Sequence, residues 1–115
     1  MTFAVTEARR DGGVAGLRLA GELDLSTVPQ LNDAIDRLIA EGCRHLLLDL
    51  AELTFCDSAG IGAFLRGDNR LAADGGWLRV TGAGGRVARV LQVTGLVDVL
   101  AYAPERVDPA ASAGP

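Results

Sequence analysis

Two short stretches hold the side chains best suited to chemistry. The first, Asp57-Ser58-Ala59-Gly60-Ile61-Gly62, follows the apolar run Leu46-Leu47-Leu48 and opens an apolar stripe at helical spacing. Ile61, Phe64, Leu65, Leu71 and Ala72 line one side of a helix from about Ser58 to Ala73. Asp57 or Ser58 then caps that helix, its side-chain oxygen accepting from a backbone N–H that has no partner within the helix. A serine hydroxyl thus lies at the positive end of a helix, where a phosphate would meet free N–H groups and a favourable dipole, together worth about 0.3 to 2 kcal/mol. Such a place suits the carrying of a phosphoryl group, and the same residues serve equally as a plain cap. The second stretch, Gly21-Glu22-Leu23-Asp24-Leu25-Ser26-Thr27, must turn the chain into another helix capped by Ser26 or Thr27. Asp24 there either satisfies turn amides or adds a charge beside the first stretch.

Other chemistries find little support. The sole histidine, His45, begins the strand that Ser58 follows, so it belongs at the far edge and gives the serine no base. Nor does Cys56-Asp57-Ser58-Ala59-Gly60 form a G-x-S-x-G elbow. No enzyme is expected. All 11 basic residues are arginine, which excludes a Walker-type phosphate loop and a Schiff-base lysine. The loop Gly82-Ala83-Gly84-Gly85 lacks dinucleotide-fingerprint spacing, so no nucleotide cofactor is expected. Cys43 and Cys56 flank a strand that, at about 3.3 Å per residue, carries them beyond the roughly 7 Å reach of a disulfide. One histidine and two separated thiols make no metal cluster. A net charge of −4 argues against nucleic acid as a partner. With no apolar leader and no run of about 18 apolar residues, neither secretion nor a membrane is expected, and the cytoplasm is the expected location.

The elements that position these residues follow from the remaining pattern. Phe3, Val5 and Glu7 alternate as a short strand, Asp11-Gly12-Gly13 turns the chain, and Val14, Leu17 and Leu19 return it as a hairpin. Pro29 sits in the first turn of a helix whose stripe is Val28, Leu31, Ile35, Leu38 and Ile39, ended by Gly42. A central strand over Arg44 to Leu50 and the Ser58 helix come next, then a strand at Trp77 to Val80. A third helix turns Val87, Val90 and Leu91 inward, and Val97, Val99 and Leu100 form a last short strand or helix. An opening hairpin followed by alternating units predicts a single α/β domain over residues 1–103, a mixed sheet of four to five strands with helices mainly on one face. Residues 104–115, rich in Ala, Pro, Ser and Gly, are expected to be a flexible tail.

Three stretches in register resemble the STAS family, specifically its stand-alone bacterial anti-sigma factor antagonists. Gly21-Glu22-Leu23-Asp24 is similar to the G-x-L-D turn after the second strand. Leu48-Asp49-Leu50 through Gly62 is similar to the strand, D-S-x-G and helix signature, and Val87-x-x-Val90-Leu91-x-x-Thr94-Gly95-Leu96 to the third helix. The resemblance implies that Ser58 is phosphorylated by an anti-sigma factor that is itself a serine kinase, with Asp24 and Asp57 as acidic neighbours. It further implies a switch: the unmodified protein binds the anti-sigma factor and frees a sigma factor, phosphorylation ends that binding, and a phosphatase resets it. The expected partner surface comprises Asp24, Ser26, Thr27, Asp57, Ser58, Ala59, Gly60 and Ile61. Where many relatives have a second serine this chain has Ala59, which leaves Ser58 as the motif's one hydroxyl. A scaffold or accessory subunit of a stressosome or lipid-transport complex is the alternative within the same fold.

Overall fold

The structure, a computed structural model, describes residues 2–100; the expected tail at 104–115 lies outside them. Strand β1 (Phe3–Asp11) and strand β2 (Val14–Leu23) form a hairpin. Gly12 and Gly13 both take positive φ, 58° and 86°, as the tightest hairpin turns demand. Helix α1 (Val28–Ala40), strand β3 (His45–Cys56), helix α2 (Ser58–Ala72), strand β4 (Trp77–Thr81) and helix α3 (Gly85–Val93) follow in alternation. A last short helix, α4 (Val97–Leu100), decides between the two forms expected for that segment.

One four-stranded sheet runs in the order β1-β2-β3-β4. β1 is antiparallel to β2, whereas β2, β3 and β4 are mutually parallel. The expected mixed sheet is therefore present with four strands. Register explains which face is covered: Ala15, Leu46 and Leu78 form one cross-strand row and Leu17, Leu48 and Val80 another, all buried. The next row, Arg18, Asp49 and Thr81, points the other way and meets solvent to varying degrees. Because side chains alternate across a strand, the helices share the leucine-lined face. Leu31, Ile35 and Leu38 of α1, Ile61, Phe64 and Leu71 of α2, and Val87 and Leu91 of α3 complete the same core.

Several expectations change in detail. β3 continues six residues past Leu50, since Leu53 and Cys56 stay buried while Ala51, Glu52 and Thr54 face out. β1 is longer than expected and shifts register between Glu7 and Arg9. Leu65 is only half-buried and Ala72 is exposed; Gly60 and Gly67 take buried places in the α2 stripe instead. Polar contacts fix α2 from both sides. Asp68 accepts from the Leu78 amide at 2.9 Å and from Arg79 at 2.9 Å, while Asp36 of α1 pairs with Arg66 at 3.1 Å and with Arg70.

Candidate functional site

The parallel strands β2, β3 and β4 bring their carboxyl ends to one edge of the domain, and the two stretches singled out by sequence meet there. Leu23 pairs with Cys56, and the Asp57 amide donates to the Leu23 carbonyl at 3.3 Å. Asp24 and Asp57 are therefore the next residues on neighbouring strands, whose backbones run about 4.8 Å apart in a regular sheet. Thr54 reinforces the junction, its hydroxyl donating to the Gly21 carbonyl at 3.0 Å.

Asp57 is the cap of α2. Its Oδ1 accepts from the Ala59 amide at 2.9 Å and the Gly60 amide at 3.2 Å, and its carbonyl accepts from Ile61 at 3.1 Å. Ser58 consequently occupies the first helical position and is exposed. Two of the N–H groups expected to be free for a phosphate are thus already engaged. A phosphate on Ser58 would have to share those amides with the Asp57 carboxylate, which removes part of the expected stabilisation.

At the other turn neither Ser26 nor Thr27 caps α1 with its side chain, contrary to expectation. Thr27 holds the cap position, but its hydroxyl is turned back to the Glu22 carbonyl at 3.0 Å. Asp24 organises the turn: its Oδ1 accepts from the Ser26 amide at 2.9 Å, the Ser26 hydroxyl at 2.7 Å and the Thr27 amide at 3.2 Å. The Ser26 hydroxyl, followed by the amides of Ser26 and Thr27, holds the Asp24 carboxyl below its ordinary range. It is therefore a fixed negative charge on this edge near neutral pH.

Within the expected partner surface, Gly60 and Ile61 are buried. Ile61 is 7% exposed, and a Cβ on Gly60 would stand 2.6 Å from Cys56 Sγ. The outward part of the motif is Asp24, Ser26, Thr27, Asp57, Ser58 and Ala59. Leu25 and Phe55 were missed and flank this edge with exposed apolar side chains, 77% and 37% accessible. Each is an apolar residue off any buried stripe and next to a motif, which is the signal that would have found it.

Both cysteines are free and buried. Burial, followed by the neighbouring Asp57 charge, pushes the Cys56 thiol up to about 12, so it stays protonated and a poor nucleophile. His45 lies at the opposite end of β3 from Ser58, packed on Trp77 with ring centroids 4.7 Å apart. No group of ligating side chains fit for a metal occurs among the described residues. Nor is any helix among them long and apolar enough to cross a membrane.

Fold and site together define a small α/β domain with one covered sheet face and a serine, two aspartates and exposed apolar groups gathered at the carboxyl ends of its parallel strands. Residues 6–101 match the family model described as Mlab, STAS domain, and the chain belongs to the STAS domain family. It is 30% identical over 84 residues to the anti-sigma-B factor antagonist of Staphylococcus aureus (strain NCTC 8325 / PS 47), covering 73% of this chain and 78% of that one. A solved anti-sigma factor antagonist from Mycobacterium paratuberculosis superposes with a TM-score of 0.76 at 25% identity, over 96% of this chain and 95% of the other. The anti-sigma factor antagonist SpoIIAA in its unphosphorylated form gives 0.73 at 27% identity, over 99% and 98%. The Bacillus SpoIIAA in its phosphorylated form gives 0.65 at 27% identity, over 93% and 97%.

Proposed function

We propose that this protein is an anti-sigma factor antagonist whose partner binding is switched by phosphorylation of Ser58. The observation that carries the reading is the exposed Ser58 at the first position of α2, beside Asp57 and across the strand ends from Asp24. Relatives named as antagonists, one of them solved with and without phosphate, support it. In the unmodified state the edge binds an anti-sigma factor and so releases a sigma factor. That anti-sigma factor is a serine kinase: Ser58 Oγ forms a bond to the γ-phosphorus of ATP, the bond to ADP breaks, and the hydroxyl proton passes to a base of the kinase. A phosphatase reverses the modification, and the exchange takes place in the cytoplasm.

Electrostatics suffice for the release. Phosphorylation adds about 1.5 to 2 negative charges next to two carboxylates, with the nearest helix amides already committed to Asp57. A hundredfold loss of affinity needs only about 2.7 kcal/mol. No rearrangement of the fold is required.

Incubation with the cognate anti-sigma kinase and ATP, read by intact mass, tests the acceptor. One phosphoryl group is expected on the wild type and none on Ser58→Ala. Ser58→Glu should weaken kinase binding about a hundredfold, while Ser58→Ala keeps it. A mass gain that survives in Ser58→Ala would overturn the assignment.

A further inference from the structure

An open groove of about 530 Å³ lies between the end of β3 and α3, lined by Phe55, Cys56, Gly85, Arg86, Arg89 and Val90. Phe55 and Val90 give it apolar lining, and Arg86 and Arg89 are exposed there. Among the described residues no carboxylate lines it, although the chain as a whole carries a net charge of −4. Among the described residues neither arginine makes an ion pair, whereas Arg10, Arg44, Arg66, Arg70 and Arg79 all do. Cys56, which lines the groove, lies two residues before Ser58 in the chain.

We infer that this groove docks an acidic segment of the anti-sigma factor, one in which carboxylates flank a bulky apolar side chain. The inference rests on the partner-switch reading and adds the chemistry of the contact. A positive patch on a negatively charged protein selects an acidic partner surface and speeds its approach. The apolar lining supplies a seat for an anchor residue, the usual centre of binding energy in an interface. Because the groove is open to solvent, a small molecule would stay largely wet in it, whereas a chain segment laid across it would cover it. Both arginines project from one turn of α3, three residues apart, and so face the same incoming strand or helix. The site thereby splits into two parts: Ser58 with Asp24 and Asp57, where a new negative charge repels, and the Arg86–Arg89 pair, where the partner's carboxylates are held.

Calorimetric titration with the purified cognate anti-sigma factor, at low and at raised salt, tests this. The double variant Arg86→Gln/Arg89→Gln should bind about tenfold or more weakly and lose much of the wild type's salt dependence. Both arginines are exposed, and an unchanged urea midpoint confirms that the variant remains folded. Wild-type affinity and salt dependence in that variant, with Ser58→Glu still impaired, would overturn the groove assignment and leave the switch standing. Failure of the wild type to bind the kinase at all would sink both. A small anion held by the purified protein, seen by native mass spectrometry, with kinase affinity unchanged by the double variant, would give the groove to a small molecule and also overturn the inference.

Discussion

Asp57 takes the cap because its carboxylate reaches the amides of both Ala59 and Gly60, and that choice turns the Ser58 hydroxyl outward. From sequence, either residue could cap; the deciding fact is the length of β3, which delivers Asp57 to the Leu23 carbonyl and leaves Ser58 as the first helical residue. At Asp24 the sequence offers two roles, and the geometry joins them, since one oxygen satisfies the turn and remains a charge at the strand end next to that of Asp57. His45 carries the prediction that belongs to this scale. Burial lowers its pKa from the ordinary 6.5, and its buried Nδ1 has no hydrogen-bond partner among the described residues. The unfolded chain therefore takes up the proton first as pH falls. Stability from this group is full above the unfolded pKa, declines between the two values, and levels off below the folded one. Urea midpoints between about pH 7.5 and about pH 5.5 should fall for the wild type and stay nearly level for His45→Phe, which keeps the stacking on Trp77. Parallel curves for the two proteins would refute it.

Helix α2 shows what a periodicity of apolar residues can and cannot report. Ile61, Phe64 and Leu71 announce the buried side, and they are buried. The glycines in the same stripe are silent to such a pattern, because a residue without a side chain carries no hydrophobic signal, yet they set how closely the helix approaches the sheet. A Cβ on Gly60 would stand 2.6 Å from Cys56 Sγ and 2.9 Å from Leu23 Cδ2, and one on Gly67 would stand 2.7 Å from Leu78 Cδ1. The outer half of β3 was hidden for a related reason: Ala51, Glu52 and Thr54 interrupt the apolar run, and only pairing with β2 keeps that segment extended. Gly60→Ala should therefore cost about 1 to 3 kcal/mol despite its better helix propensity, because Leu23 and Cys56 must shift to admit the methyl group. Gly62→Ala is the control, since nothing lies within 4 Å of its added Cβ and a stabilisation of a few tenths to about 1 kcal/mol is expected. Equal effects in the two variants would mean that α2 does not sit tightly on the strand ends.

Across the whole molecule, element order and sheet type were readable because each depends on long patterns: a Gly-Gly hairpin, then alternating strand and helix periods, leaves few topologies that close without a left-handed crossover. What such patterns cannot supply is the pairing of strand ends that sets Asp24 beside Asp57, since that depends on register shifts between Arg18 and Ala20 and between Gly21 and Glu22. Those shifts let β2 and β3 finish together, so the site and the core are consequences of one sheet. Leu48 is the residue through which that unity can be measured. It lies fully buried in the row Leu17-Leu48-Val80, in the strand that both neighbours pair with. Truncating it should leave a cavity that the paired strands cannot collapse around, costing about 2 to 5 kcal/mol. If strands and helices share a single core, urea unfolding of Leu48→Ala will remain one transition, with a lower midpoint and an unchanged slope. A loss below about 0.5 kcal/mol, or a second transition, would contradict this packing. The exposed Ser58 provides the contrast from the same edge: Ser58→Ala should alter partner binding while leaving that midpoint within about 0.5 kcal/mol of the wild type, which separates the residue that works at the surface from the residues that hold it there.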